Sequence, residues 1–170
     1  MGDNVPPFIV YPDARLSLPA MPHPVDAELR DIGALLLAAA RDVQAYGLAA
    51  VHIGHVLPIA LVSVADPDLR DYHLLYNPRV LATSGDAVTG KEGSVSMPGI
   101  EIDVIRPDAV TIAYDDENSQ PATLELTGFA ARVAQHEIDQ VNGIFFLTRL
   151  SRLKREAAIK RFTKRERRMG

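Results

Sequence analysis

The chain has 170 residues, 47% of them hydrophobic, a formal net charge of −4 and no cysteine. That length and apolar share suit one domain spanning 1–170, and the absence of cysteine excludes disulfide frameworks and every thiolate metal site. No apolar run approaches the ~18 residues of a membrane span, and the stretch from Met1 to Pro7 lacks a basic region followed by an apolar run, so a cytoplasmic protein without a signal peptide is expected.

Pro12-Asp13-Ala14-Arg15-Leu16 reads as an extended or turn-like entry. Asp26 is placed to cap a helix running to about Ala45, in which Leu29, Ile32, Leu35, Leu36, Ala39 and Val43 recur at near-helical spacing. Small residues then lie between Gly47 and Gly54, a composition that lets backbone come close to a ligand or a neighbouring strand. Leu57 to Val64 and Tyr72 to Tyr76 read as strands joined by a turn at Asp66-Pro67-Asp68, with Asn77-Pro78 ending the second. Thr83 to Asp86 reads as loop, and Gly90 to Gly99 is too rich in Gly, Ser and Pro for a helix. Ile100 to Ile105, Ala109 to Tyr114 and Thr123 to Leu126 follow as strands, with Asp115-Asp116-Glu117-Asn118 turning the chain before the last. The expected class is α+β with a mostly antiparallel sheet.

Thr127 is placed as N-cap of a central helix ending at Asn142-Gly143, on which Phe129, Val133, His136 and Gln140 share a face. His136-Glu137-Ile138-Asp139-Gln140 comes within one letter of H-E-x-x-H, the pattern that sets two imidazoles one turn apart on a metal beside a general-base Glu. Gln140 stands at the second imidazole, and an amide oxygen is a weaker donor to a first-row transition metal. Leu150 to Arg168 reads as a last helix. Residues 151–170 carry nine Lys or Arg against two Glu, whereas 1–150 carry nine basic and twenty acidic residues. A basic helix on an acidic body fits a polyanion partner such as RNA, or a solvated terminal helix.

Three segments together resemble the peptide deformylases, which hydrolyse the formyl group from the N-terminal methionine of new bacterial and organellar proteins. The family motifs G-x-G-L-A-A-x-Q, E-G-C-L-S and H-E-x-D-H correspond to Ala45-Tyr46-Gly47-Leu48-Ala49-Ala50-Val51-His52, Glu92-Gly93-Ser94-Val95-Ser96 and His136-Glu137-Ile138-Asp139-Gln140. The flanks Ala131-Arg132, Gln135 and Asn142-Gly143 agree as well. The resemblance implies a peptide-deformylase-like fold around the central helix and a divalent metal, iron, zinc or nickel, at the positions of Ser94, His136 and Gln140. It also implies Glu137 as acid/base, His52 and the Val95 amide as donors to the formyl oxygen, and Gly47, Tyr46 and Arg106 as substrate contacts, with an ion pair as the other reading of Arg106.

Three of these positions depart from the family. A serine hydroxyl does not ionise near neutrality as a thiol can, and Gln140 removes an imidazole, so the ordinary metal site is expected to be lost. The leading expectation is a degenerate active site with weak or absent formyl hydrolysis that still binds a formylated or other peptide end. His52 and Gln140 look like an exchange of the family's Gln and His, which leaves open an active amide hydrolase whose metal is held by His52 and His136 with Glu137 or Ser94. A metal-free set, with Ser94 as nucleophile, His52 as base and Glu137 as orienter, is a further alternative. The tail resembles the basic helix with which some deformylases approach the ribosome, so a non-catalytic ribosome- or RNA-associated protein is the remaining reading.

Overall fold

Asp26 does what its position predicts: its side chain accepts the N–H of Leu29 at 2.9 Å and starts helix α1, Ala27–Val43. The structure, a computed structural model, describes residues 7–65 and 67–170. Residues 1–6, read for a signal peptide, and Asp66 of the expected turn lie outside the described residues. Strands β1 (Gly47–Ala49), β2 (Ile59–Ser63), β3 (Tyr72–Gly93), β4 (Glu101–Asp115) and β5 (Pro121–Thr127) pair in sequence order, each antiparallel to its neighbour. Helix α2, Gly128–Val141, and helix α3, Arg152–Met169, complete the α+β fold.

Alternation along the strands divides the core. In β2 every residue is buried, with Ala60 and Val62 turned to one side and Ile59 and Leu61 to the other. The first pair joins Ala49, Val110, Ile112 and Leu126 beneath the apolar stripe of α2, chiefly Ala130, Ala134, Ile138 and Val141. The second pair packs with Leu48 and Tyr76 against Leu29, Leu36, Ala39 and Ala40 of α1. The sheet is thus filled on both faces around β2, and α2 is held in the middle of the molecule. A third cluster packs Ala158 and Phe162 of α3 against Leu16, Met97, Ile100 and Phe145 to Leu147.

Three local expectations are corrected. The strand expected to stop at Asn77-Pro78 and the loop expected at Thr83 to Asp86 are one continuous β3, and the two strands expected on either side of Arg106-Pro107-Asp108 are one β4. Register shifts between Tyr76 and Arg79 and between Ser84 and Ala87 explain this, because a bulge seats a proline or a positive-φ residue without breaking the ladder. Asn77 (φ 48°) and Gly85 (φ 78°) occupy such places. Thr127 does precede α2, but its side chain makes no capping hydrogen bond. Gly143, at φ 77°, ends α2 where its sequence position predicts.

Candidate active site

Helix α2 presents His136 and Glu137 to a cavity of about 590 Å³. One wall is Ala45, Tyr46 and Gly47 at the start of β1 with His52 just beyond it, and the other is the segment from Lys91 to Val95 with Gly99 to Glu101. Gly47 is required where it stands: a Cβ there would lie 2.7 Å from Cγ1 of Val133 and 2.9 Å from Cγ of Glu137. Tyr46 packs edge-on to Phe129, with ring centroids 4.8 Å apart, under the guanidinium of Arg70. Of the residues singled out in the sequence, His52, Ser94, Val95, His136, Glu137, Gly47 and Tyr46 line this cavity. Arg106 and Gln140 do not.

His136 is fixed from behind. Its Nδ1 donates to Glu92 Oε1 at 2.7 Å, so Nε2 is the nitrogen left for the cavity side. Glu92 also accepts from Arg106 Nη2 and from Arg132 Nη1, each at 2.8 Å. Arg106 reaches Asp139 at 2.9 Å, and Asp139 accepts from Arg149 at 2.7 Å. Burial would raise the Glu92 carboxyl, but the hydrogen bonds from His136 and Arg106 outweigh it and hold it at about 2. Burial disfavours the His136 imidazolium, and Glu137 and Glu92 together overcome that and raise its pKa. Arg106 has carboxylate partners on Nε, Nη1 and Nη2, which is the ion-pair reading of that residue; its guanidinium lies behind the cavity rather than in its wall.

His52 faces the same cavity from a 3-10 turn after β1. Its Nδ1 accepts the backbone N–H of Ala49 at 2.9 Å, and a ring nitrogen that accepts cannot also carry the proton. Burial, then the nearby His136, lowers its pKa to about 3, so the ring is neutral with its proton on Nε2. That Nε2 and Oε1 of Glu137 are buried without a hydrogen-bond partner among the described residues. Burial, reinforced by Glu92 and opposed by His136, raises the Glu137 carboxyl to about 7.

Ser94 and Gln140, the other expected ligand positions, make contacts of their own. Ser94 Oγ accepts the N–H of Ser96 at 3.1 Å. Gln140 Nε2 donates to the Leu16 carbonyl at 2.7 Å, tying α2 to the amino-terminal segment. Among the described residues, the one group of three His, Asp or Glu side chains whose ligand atoms lie within 4.8 Å of one another is His23, Asp26 and Glu28, none of which lines the cavity. Sequence reasoning assigned no role to Glu92, the hub of the ion pairs, or to Asp139 and Arg149. Glu92 and Asp139 do stand inside the quoted motifs, which was the available signal.

A family model for polypeptide deformylase matches residues 5–156. A peptide deformylase-like protein of Bradyrhizobium diazoefficiens is 41% identical over 96% of both chains, and a peptide deformylase of Rhizobium meliloti is 33% identical over 95% of this chain and 94% of its own. The crystal structure of a peptide deformylase from Ehrlichia chaffeensis superposes with a TM-score of 0.89 at 31% identity, covering 96% of this chain and 98% of that one. The same enzyme in complex with actinonin gives 0.88 at 32% identity, with the same coverage. Matched along nearly its whole length in sequence and in fold, the chain belongs to the polypeptide deformylase family, whose members are metal-dependent and remove N-formyl groups.

Proposed function

We propose that this family member, acting as one domain across 1–170, binds the amino-terminal end of a peptide between β1 and the segment from Ser94 to Gly99, with metal-dependent formyl hydrolysis weak or lost. The observation that carries the reading is the Gln140 amide, engaged with the Leu16 carbonyl instead of lining the cavity. The donor set does not fit the family's metal. Ser94 offers a neutral hydroxyl that already accepts from Ser96, and of the family's two histidines only His136 stands at the cavity, with Nε2 as its free ring nitrogen. Structural zinc in small peptides is worth roughly 10–16 kcal/mol from four good ligands, and one such ligand forfeits most of that. The rearranged centre on His52 and His136 meets a specific obstacle: with Nδ1 accepting from Ala49, His52 presents a donor and not a lone pair. That same Nε2–H suits a substrate carbonyl, the role of the family's glutamine. The serine-nucleophile reading meets the same obstacle, because neither ring nitrogen of His52 is free to take a proton. This role places the protein in the cytoplasm with translation, where new peptide ends emerge.

The test is the metal content of anaerobically purified protein beside that of the Ser94→Cys, Gln140→His double variant, with formate release from a formyl-methionyl peptide measured on both. Little metal and little release in the unaltered chain, with metal regained by the variant, is the expected result. Near one equivalent of iron, zinc or nickel in the unaltered protein, lost on His52→Ala, would overturn it in favour of the rearranged centre.

A second role rests on α3. Lys154, Lys160, Arg161, Lys164, Arg167 and Arg168 are exposed, and none has an ion-pair partner among the described residues. We propose ribosome or RNA contact through this helix. It is checked by co-sedimentation with ribosomes, which must weaken steeply as salt is raised because phosphate contacts release counter-ions.

A further inference from the structure

We propose that Arg70 is a positioning residue that acts through Tyr46 and makes the mouth of the cavity select an apolar over a basic peptide side chain, an inference that rests on the peptide-end reading above. Tyr46 belongs to the cavity wall just ahead of β1, the edge strand of the sheet along which an extended peptide would lie. It is 41% exposed, so its ring is open to a ligand. Phe129, in the same wall, stands edge-on to it, and the two rings form an aromatic corner.

The corner is held by the end of β2, the start of β3 and the residues between them. Arg70 Nε and Nη2 both donate to the Gln44 carbonyl, at 3.0 and 2.8 Å, and Nη1 donates to the carbonyls of Pro67 and Leu69 at 2.6 and 3.0 Å. Tyr72 Oη donates to the Ala45 carbonyl at 2.7 Å, and the backbone N–H of Ser63 donates to the Tyr46 carbonyl at 2.8 Å. Three successive carbonyls, those of Gln44, Ala45 and Tyr46, are therefore fixed from one side. Arg70 touches both the chain and the ring, since its guanidinium carbon lies 4.2 Å from the Tyr46 ring centroid. It stands outside the three motif segments.

Neutral carbonyls take the N–H groups of Arg70, and its charge rests against one face of the ring. A leucine or phenylalanine side chain entering the corner gains apolar contact with two rings and opposes no charge. A lysine or arginine side chain there sheds water against apolar surface within range of a fixed like charge, and the ring electrons that would attract it already serve Arg70. Tyr46 thus carries the influence of a residue that lies behind it to whatever side chain lies in front.

The test is titration calorimetry of the full chain with peptides of one sequence in which the first, second or third residue is in turn leucine or lysine, each made with a free and with a formylated amino terminus, at one pH and salt concentration. At the position that meets Tyr46, leucine should bind about tenfold tighter than lysine, and Arg70→Gln, which keeps an N–H donor but no charge, should lower that ratio about threefold or more. A merely structural loss would weaken both peptides alike and leave the ratio unmoved. In a Tyr46→Leu background, Arg70→Gln should no longer change the ratio, because Arg70 acts through the ring. A ratio near one at all three positions, a ratio untouched by Arg70→Gln, or the same fall in both backgrounds overturns this inference and leaves the peptide-end reading standing. No binding of any peptide overturns both.

Discussion

Glu92 and Glu137 stand on either side of His136 with nearly the same exposure, 6% and 5%, and opposite chemistry. Glu92 receives two arginines and the imidazole and is held at about 2, whereas Glu137, with no direct cationic partner, is pushed up to about 7. Burial alone therefore says little about a carboxylate; what the neighbouring elements aim at it decides. The side of His136 behind the cavity is complete in its ion pairs, and on the side facing the cavity His52 Nε2 and Glu137 Oε1 make no hydrogen bond among the described residues. Stability should accordingly reside in the first and binding in the second.

The largest expected effect breaks the complete side. Glu92→Gln leaves Arg132 and part of Arg106 without a carboxylate in a buried site, a loss of about 3–5 kcal/mol in chemical denaturation. Glu137→Gln at neutral pH should cost less than about 1 kcal/mol. A larger loss at Glu137 than at Glu92 would reverse the assignment of roles.

The same pair separates by pH. Between 4.5 and about 7 the folded chain keeps a proton on Glu137 that the unfolded chain has released, so stability falls as pH rises through this window, by roughly 3 kcal/mol in all. His136, also raised, acts in the same direction, its contribution being lost as pH rises through its folded pKa. Glu92, lowered, contributes stability present above 4.5 and lost as pH falls towards 2. Denaturation midpoints across pH should show Glu137→Gln flattening the upper window and leaving the acid limb intact. An unchanged slope between 4.5 and 7 would show that Glu137 is paired in solution.

Smaller effects sharpen the contrast. Gln140→Ala leaves the Leu16 carbonyl unpaired and should cost about 1–3 kcal/mol by thermal denaturation, and a cost near zero would mean that the amide does not hold the amino-terminal segment. Nitrogen-15 spectra of His52 should report the Nε2–H tautomer unchanged from about pH 8 to 5, and a ring titrating in that interval would contradict its buried, neutral state. Smallest of all, Lys160→Glu with Arg161→Glu should change stability by less than about 0.5 kcal/mol while reducing ribosome co-sedimentation.

Much of this frame was legible in the chain because it is written in local terms. Asp26 caps the helix it precedes, Gly143 ends α2, and the stripe of α2 fits its 3.6-residue period. Reading strands residue by residue failed at Asn77-Pro78 and Pro107, because a bulge is a property of two paired strands and leaves no mark on either one alone. The ion pairs were hidden for the same reason: Glu92 stands out as a motif letter, yet its weight comes from Arg106 on β4 and from Arg132 and His136 on α2.

The sequence by itself determined the family and the order of the elements, and it set Ser94, His52 and Gln140 apart as residues whose types differ from the family motif. Only the tertiary structure decided which partners those side chains take. The Gln140 amide finds a carbonyl 124 residues away, and the His52 tautomer is fixed by one backbone N–H. Residue type limits what a polar group can donate or accept, but a buried group takes the partner that the fold brings within about 3 Å, and that partner sets its charge, its tautomer and its role.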